Sequence, residues 1–232
     1  LAFDFLHEQS SPGESPSTAT TPSATGAASA WRYGTGDYDP ATKSVKGFKP
    51  LPVFFGSAWQ LTGKVQNIRT GGPALTAEGG QVNDPKVDVV RRWTAPADGF
   101  ISIDATLSHA GKRGDGIRGT VLSSRSGELG SWKVFNTSQP MRFAKIEVRK
   151  GDTIDFIADS LEDPTFDTFT WAPIIRLVDA KGAEWNAKTQ FAGPTDGTGS
   201  AKGAKTAKQK SLTAWEKFAQ VLLESNEAIF VN

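Results

Sequence analysis

Between residues 86 and 178 the chain runs through short stretches of alternating apolar and polar side chains, each closed by a turn signal. A period of two sends successive side chains to opposite faces, the pattern of a half-buried β-strand. Val87 to Trp93 ends in Ala95-Pro96-Ala97-Asp98-Gly99. From Phe100 to Leu107, Ile101, Ile103, Ala105 and Leu107 face one way, and Ser102, Asp104 and Thr106 the other. Gly114 to Ser124 sets Ile117 and Val121 against Arg118, Thr120 and Leu122, and a turn over 126–130 leads into Ser131 to Asn136. Ala144, Ile146 and Val148 then alternate with Lys145, Glu147 and Arg149, and Lys150-Gly151-Asp152 turns the chain into Ile154, Phe156 and Ala158. Asp167 to Val178 reads as the last long strand, with Phe169, Trp171, Ile175 and Leu177 in phase. Strands recurring at this spacing predict an all-β fold, a two-sheet β-sandwich, with a jelly roll as the preferred topology.

The flanks read differently. Residues 1–30 combine a short apolar piece (Leu1, Phe3, Phe5, Leu6) with a Ser/Thr/Pro/Ala/Gly-rich linker too poor in apolar surface to offset its ordering entropy. The sandwich is expected over 31–193. Within it, Trp31 to Gln60 is aromatic and turn-rich and holds short strands, the clearest at Val53 to Trp59, whereas Gly71 to Asp84 reads as loop. Residues 194–210 form a second linker, rich in Lys and Gly, and over 211–232 the period changes. There Leu212, Trp215, Phe218, Ala219 and Leu222 recur at three and four residues, a C-terminal amphipathic helix opened by the capping box Thr213–Glu216. The chain starts at Leu1 without the basic and apolar regions of a signal peptide, so it reads as part of a longer protein. No apolar run reaches the ~18 residues a membrane-spanning helix needs.

With 232 residues, the chain is long enough for one sandwich and its tails. A net charge of +1 gives no field for nucleic acid, and no nucleic-acid-binding motif is present. Cysteine is absent, which excludes disulfides, thiolate metal sites and a cysteine nucleophile from this stretch. The two histidines, His7 and His109, lie far apart in sequence and argue against a His-based triad or a zinc site. Asp115, Glu128, Glu162, Asp163 and Asp167 are the carboxylates a glycosidase would need in pairs, but all sit in turn-like stretches where acidic residues are common without catalysis. The chain therefore reads as a binding module, not an enzyme. No cofactor is required. Asp37, Asp39 or the acidic 159–167 loop are the oxygen donors a structural calcium ion would use.

Sugar rings stack on aromatic faces, and their hydroxyls take hydrogen bonds from charged and polar groups. Trp31, Tyr33, Tyr38, Trp59 and Trp132 lie in turn-rich or strand-edge contexts suited to such stacking, while Trp93 and Trp171 are in phase with core positions. Arg118 and Asp155 each oppose apolar neighbours on their strands and could form a bidentate pair facing hydroxyls or anionic groups. Arg91, Arg92 and Arg125 would extend a basic face toward an anionic polysaccharide. The competing reading is a protein-docking or structural sandwich, whose aromatics and arginines would meet a protein surface.

Several segments together carry a family resemblance: WRYGTGDY at Trp31–Tyr38 with PLPVFFG at Pro50–Gly56, RRWTAPADG at Arg91–Gly99, the stretch Gly114–Trp132, KGDTIDF at Lys150–Phe156, DTFTWAP at Asp167–Pro173, and Ala214–Glu227. The chain resembles the C-terminal region of exported planctomycete proteins that join a c-type cytochrome module to planctomycete-specific domains of unknown function. That resemblance implies an exported protein at the cell surface or in the periplasm. It also implies a carbohydrate-binding-module-like sandwich inserted near the end of a helical host domain, which would be its partner within the same polypeptide. Relatives tend to close with Asn-Glu-Phe, whereas here Ala228 follows Asn226 and Glu227.

Overall fold

The computed structural model describes residues 29–39, 41–62, 72–178 and 183–194. The expected flanking linkers and the amphipathic helix around Trp215 lie outside the described residues, apart from the few next to the first and last strands. The described residues form strands only: β1 (Trp31–Asp39), β2 (Ser44–Pro50), β3 (Val53–Phe55), β4 (Ala58–Gln60), β5 (Ala74–Thr76), β6 (Gly79–Gln81), β7 (Asp88–Thr94) and β8 (Gly99–His109), followed by β9 (Ile117–Ser123), β10 (Gly127–Val134), β11 (Thr137–Val148), β12 (Thr153–Ser160), β13 (Thr168–Thr170), β14 (Ile174–Leu177) and β15 (Glu184–Asn186). They build two antiparallel sheets. The first runs β10-β9-β12-β7-β1-β2, and the second runs β15-β14-β8-β13-β6-β5-β4-β3, with β11 also paired to β8. The architecture is the all-β, jelly-roll-like two-sheet sandwich that the alternation predicts.

The inward side chains interdigitate in one core. Trp93, Ile101, Ile103, Leu107, Ile117, Val121, Ile154 and Ile175 are each 0 % exposed, and Phe156 and Trp171 meet edge to face with centroids 5.4 Å apart. Burying each large aliphatic or aromatic side chain stabilises the sandwich by about 1.5–3 kcal/mol. Both tryptophans assigned to the core by phase are in it. A buried cation crosses the same layer. Arg91 on β7 points inward and donates to the carbonyl oxygens of Thr76 at 2.6 Å, Gly79 at 3.3 Å, and Ala77 and Ala187 at 3.4 Å. It thereby ties the β5–β6 hairpin of one sheet to the central strand of the other.

Several stretches differ from the alternation, among them the turn expected over 126–130, where β10 already starts at Gly127. Val53 to Trp59 is a hairpin, not one strand. Gly56 takes a left-handed φ of 63°, and Phe54 pairs back onto Trp59. The loop expected at 71–84 contains β5 and β6. These strands carry little apolar patterning because Gly79 must let the backbone of β13 approach, and a Cβ there would overlap the Phe169 carbonyl oxygen. The long strand expected from Asp167 to Val178 is interrupted at 171–173, where Pro173 has no N–H for a ladder. Ala144 is exposed although Ile146 and Val148 are buried, because β11 shifts register on β8 between Phe143 and Ile146.

Candidate functional site

The expected stacking residues are mostly inside. Trp31 is 3 % exposed, and its indole N–H donates to Gln190 Oε1 at 3.1 Å. Tyr33, 7 % exposed, lies between Trp59 and Phe191, with the Arg91 guanidinium 5.7 Å from its ring, and burial pushes its phenol up to about 12. Tyr38 is 8 % exposed and donates its hydroxyl to Glu128. Its ionisation is pushed well above the usual phenol range by burial and then by that carboxylate. Solvent access therefore corrects the expected groove of indole and phenol faces, because Trp31 and Tyr33 are drawn into the main core and Tyr38 into a second apolar cluster. Trp59 and Trp132 are half-buried. Trp59 donates to the Ala192 carbonyl at 2.9 Å and meets Phe54 edge-on at 5.3 Å, while Trp132 covers Gly130 and meets Phe143 edge-on at 6.3 Å.

The expected Arg118–Asp155 pair does not form either. Register decides this: on β12, Asp155 lies opposite Arg92 of β7 and Leu122 of β9, whereas Arg118 lies opposite Asp159. Asp155 accepts a fork from Arg92 (Nε 2.7 Å, Nη2 2.8 Å), and Arg118 Nε donates to Asp159 Oδ2 at 2.9 Å. Burial raises the ionisation of both carboxyls, opposed in each case by the partner arginine. The three expected residues Tyr38, Arg118 and Asp155 do share the outer face of the six-stranded sheet. That face is largely closed, because Val90, Ile157 and Leu122 are buried in a second apolar cluster with Tyr38, flanked by Val45 and Phe48. The Arg92 guanidinium lies 4.1 Å above the Phe48 ring. The expected basic face is dispersed: Arg91 is in the core, Arg92 is paired, and Arg125 binds Asp152 at 2.6 Å in a turn.

A concavity lies in the second sheet, at residues outside the expected binding set. Strand β8 pairs with β11 along one edge. On its other edge it pairs with β14 at 101–104 and with β13 only at Ser108. Between those points the chain leaves the sheet through Trp171–Pro173, where Trp171 N donates instead to the Glu78 carbonyl at 2.7 Å. The gap is a groove of about 610 Å³, within the range of small-molecule sites. Ala105, Met141, Ile174 and Trp171 give it an apolar lining, and Thr106, Thr170, Asp104, Arg142 and Glu78 a polar one. Asp104 accepts from Arg142 Nε at 2.6 Å and from Arg176 Nη1 at 2.9 Å, and Arg176 Nε reaches Glu184 at 2.9 Å. Glu78 is paired with Lys188 at 2.8 Å. Such exposed pairs contribute under ~1 kcal/mol each to stability, so their effect is to preset donors and acceptors around the groove. The sequence signal for the groove is Pro173, which has no N–H to donate to a ladder inside the otherwise continuous alternation from Asp167 to Val178.

A second polar cluster joins the β8–β9 and β12–β13 connections. Asp115 Oδ2 accepts from the backbone of Glu162 at 2.8 Å and Asp163 at 3.2 Å, and Asp163 Oδ1 accepts from Thr165 N at 3.0 Å and its hydroxyl at 2.7 Å. Burial, followed by the charges of Asp115, Asp163 and Asp159, pushes Asp167 up to about 7. At the other expected acidic site, Asp39 accepts from Lys46 at 2.8 Å and from the Ala41 and Thr42 amides at 2.9 and 3.3 Å. These bonds hold its carboxyl well below the usual range.

No protein-family model matches the chain, and no curated protein matches it. Solved structures to which the chain is similar include the C-terminal CBM6 of LamC, a marine laminarinase from Zobellia galactanivorans. That match has 16 % identity over 38 % of this chain and 78 % of that one, with a TM-score of 0.23. The PA14 domain of the MpAFP antifreeze protein matches at 9 % identity over 68 % and 86 % of the two chains (TM-score 0.30). A β-glucosidase from Kluyveromyces marxianus matches at 8 % identity over 63 % of this chain and 16 % of its own (TM-score 0.28). At such scores the likenesses carry no argument about ligand or activity. What the sheets and their surfaces define is a β-sandwich with half-exposed aromatic clusters and an open groove with a partly polar lining. No helix among the described residues is long and apolar enough to cross a membrane.

Proposed function

We propose that this domain is a non-catalytic polysaccharide-binding module of an exported multidomain protein, and that the glycan lies in the groove of the second sheet. The observation that carries the reading is the groove itself, an open trough of about 610 Å³ with an apolar lining and a set of donors and acceptors already fixed in place. Sugar hydroxyls need both kinds of partner at once. Arg142 supplies donors, Asp104 and Glu78 supply acceptors, and Thr106 and Thr170 supply either. Pre-set partners lower the ordering cost of binding. Both groove carboxylates are neutralised by Arg or Lys, which suits acceptance of hydroxyl protons and not delivery of a proton to a leaving group. The exported setting and the helical host are carried by the sequence resemblance.

The test is affinity electrophoresis and a glycan array covering neutral, uronic-acid and sulfated polysaccharides. Thr106→Trp fills the groove, Arg142→Ala removes its guanidinium, and Arg118→Ala alters only the opposite sheet. Retardation by at least one polysaccharide, lost in the first two variants and kept in the third, is expected. Loss confined to Arg118→Ala would move the site to the six-stranded sheet. Silence of the folded protein across the whole panel would remove the glycan reading. The docking alternative would then stand on the half-buried Phe54–Trp59–Phe191 cluster beside the edge strand β3, with Leu61 40 % exposed nearby.

A further inference from the structure

Asp167 is 0 % exposed, and neither of its carboxylate oxygens has a hydrogen-bond partner. A carboxylate taken out of water without a partner is among the costliest groups a fold can bury, and native proteins compensate it with a cation or a set of donors. Neither is present in the protein around Asp167: among the described residues no Lys, Arg or His forms an ion pair with Asp115, Asp163 or Asp167. The Arg113 guanidinium is 5.6 Å from the Phe166 ring centroid, and Arg118 is engaged by Asp159.

The charges that act on Asp167 are those of other carboxylates, Asp115 first and then Asp163 and Asp159. Asp115 turns Oδ2 to the 162–163 amides and leaves Oδ1 buried without a partner. The Asp167 Oδ1 atom lies 3.9 Å from where a Cβ on Gly114 would stand, beside Asp115, and the same Cβ would overlap the Thr165 carbonyl oxygen. Ser160 Oγ, at the end of β12 that feeds this loop, is likewise buried and unpartnered. The fold holds this arrangement firmly. His109 at the end of β8, fully buried, donates from Nε2 to the Phe166 carbonyl at 3.0 Å and accepts the Asn136 amide on Nδ1 at 3.5 Å.

We propose that the β8–β9 and β12–β13 connections form a divalent-cation site for calcium, with Asp167 and Asp115 Oδ1 as its carboxylate ligands. Among the described residues no three Asp, Glu or His side chains stand together at ligand spacing. The remaining oxygens must therefore come from backbone carbonyls such as that of Thr165 and from water. Calcium accepts carbonyl and water oxygens in irregular sets of six to eight, whereas magnesium demands a near-octahedral shell and gives up its water reluctantly. The site lies on a different loop pair from the groove and does not depend on the glycan reading.

The experiment is thermal unfolding and calorimetric titration of the EDTA-treated, dialysed protein with CaCl₂, with MgCl₂ as a parallel arm and Asp167→Asn and Asp115→Asn as variants. Calcium at about 100 times its dissociation constant should raise the melting temperature by about 5–10 °C. Magnesium should do much less, and both variants should lose the calcium shift and the binding isotherm. Because Asp167→Asn removes a buried charge, its metal-free form should melt at or above the wild-type metal-free temperature. A wild-type melting temperature unmoved by calcium up to about 5 mM would overturn the proposal. So would a calcium shift preserved in both variants.

Discussion

Replacing Arg91 by Met tests whether a cation without a carboxylate partner can hold a sandwich together. The guanidinium is 2 % exposed, and burial lowers its pKa from 12.5 to about 10, with the Tyr33 and Glu78 charges acting the other way. Keeping it charged therefore costs roughly 3 kcal/mol at about 1.4 kcal/mol per unit. Against that stand its bonds to four carbonyls, one at 2.6 Å and three at 3.3–3.4 Å. Stranding the strongly bonded carbonyl should cost about 2–3 kcal/mol and each of the others about 1 kcal/mol. Met fills a similar volume, so cavity formation adds little. The balance is a loss of about 2–3 kcal/mol, which for a domain of this size lowers the melting temperature by about 4–12 °C. Differential scanning calorimetry and urea unfolding at pH 7 measure it. A variant as stable as the wild type would show that the carbonyls find other partners and that Arg91 does not clamp the β5–β6 hairpin to β7.

Three further outcomes are expected. Burial lifts the Asp88 carboxyl from the ordinary 3.8 to about 6, against a bond from the Tyr38 amide at 2.8 Å. A carboxyl raised in this way favours the folded state below about pH 4, and that contribution is lost as pH rises through 6. Asp88→Asn, which keeps an acceptor for Tyr38, should therefore gain about 1–2 kcal/mol over wild type at pH 7 and almost nothing at pH 4; an equal gain at both pH values in paired melts would contradict the burial argument. Gly79→Ala, forced against the Phe169 carbonyl, should cost about 3 kcal/mol or more by chemical denaturation, and a loss under about 1 kcal/mol would mean that β6 and β13 can separate freely. Arg92→Ala leaves Asp155, only 2 % exposed, buried without its fork and should cost about 3 kcal/mol. Adding Asp155→Ala should recover part of that loss, whereas strict additivity in the double-mutant cycle would deny the pairing.

The expected Arg118–Asp155 pair shows what alternation cannot decide. Alternation placed Arg118 and Asp155 on the outward side of their strands, and both are there. It could not say which arginine faces which aspartate, because that depends on the register of β12 against β7 and β9, and a shift of four residues exchanges Asp155 for Asp159. The groove was illegible for a related reason. It is a gap between strands, created where β13 and β14 part from β8, and no single strand's pattern reports a gap. Arg91 illustrates the converse failure: its phase with Val89 and Trp93 assigns it to the core, but its charge suggests solvent, and carbonyls from a distant hairpin decide in favour of the interior.

Local periodicity by itself determined that this chain is a β-sandwich and that Trp93 and Trp171 lie inside it, since which face of a strand a side chain occupies is fixed by steric alternation along one segment. Tertiary structure alone decided that Trp31, Tyr33 and Tyr38 are covered, that Arg92 and Arg118 are taken up by Asp155 and Asp159, and that Asp167 is buried without a hydrogen-bond partner. Cover, pairing and desolvation arise between segments far apart in sequence, and the energies that choose among them exist only once the two sheets have met.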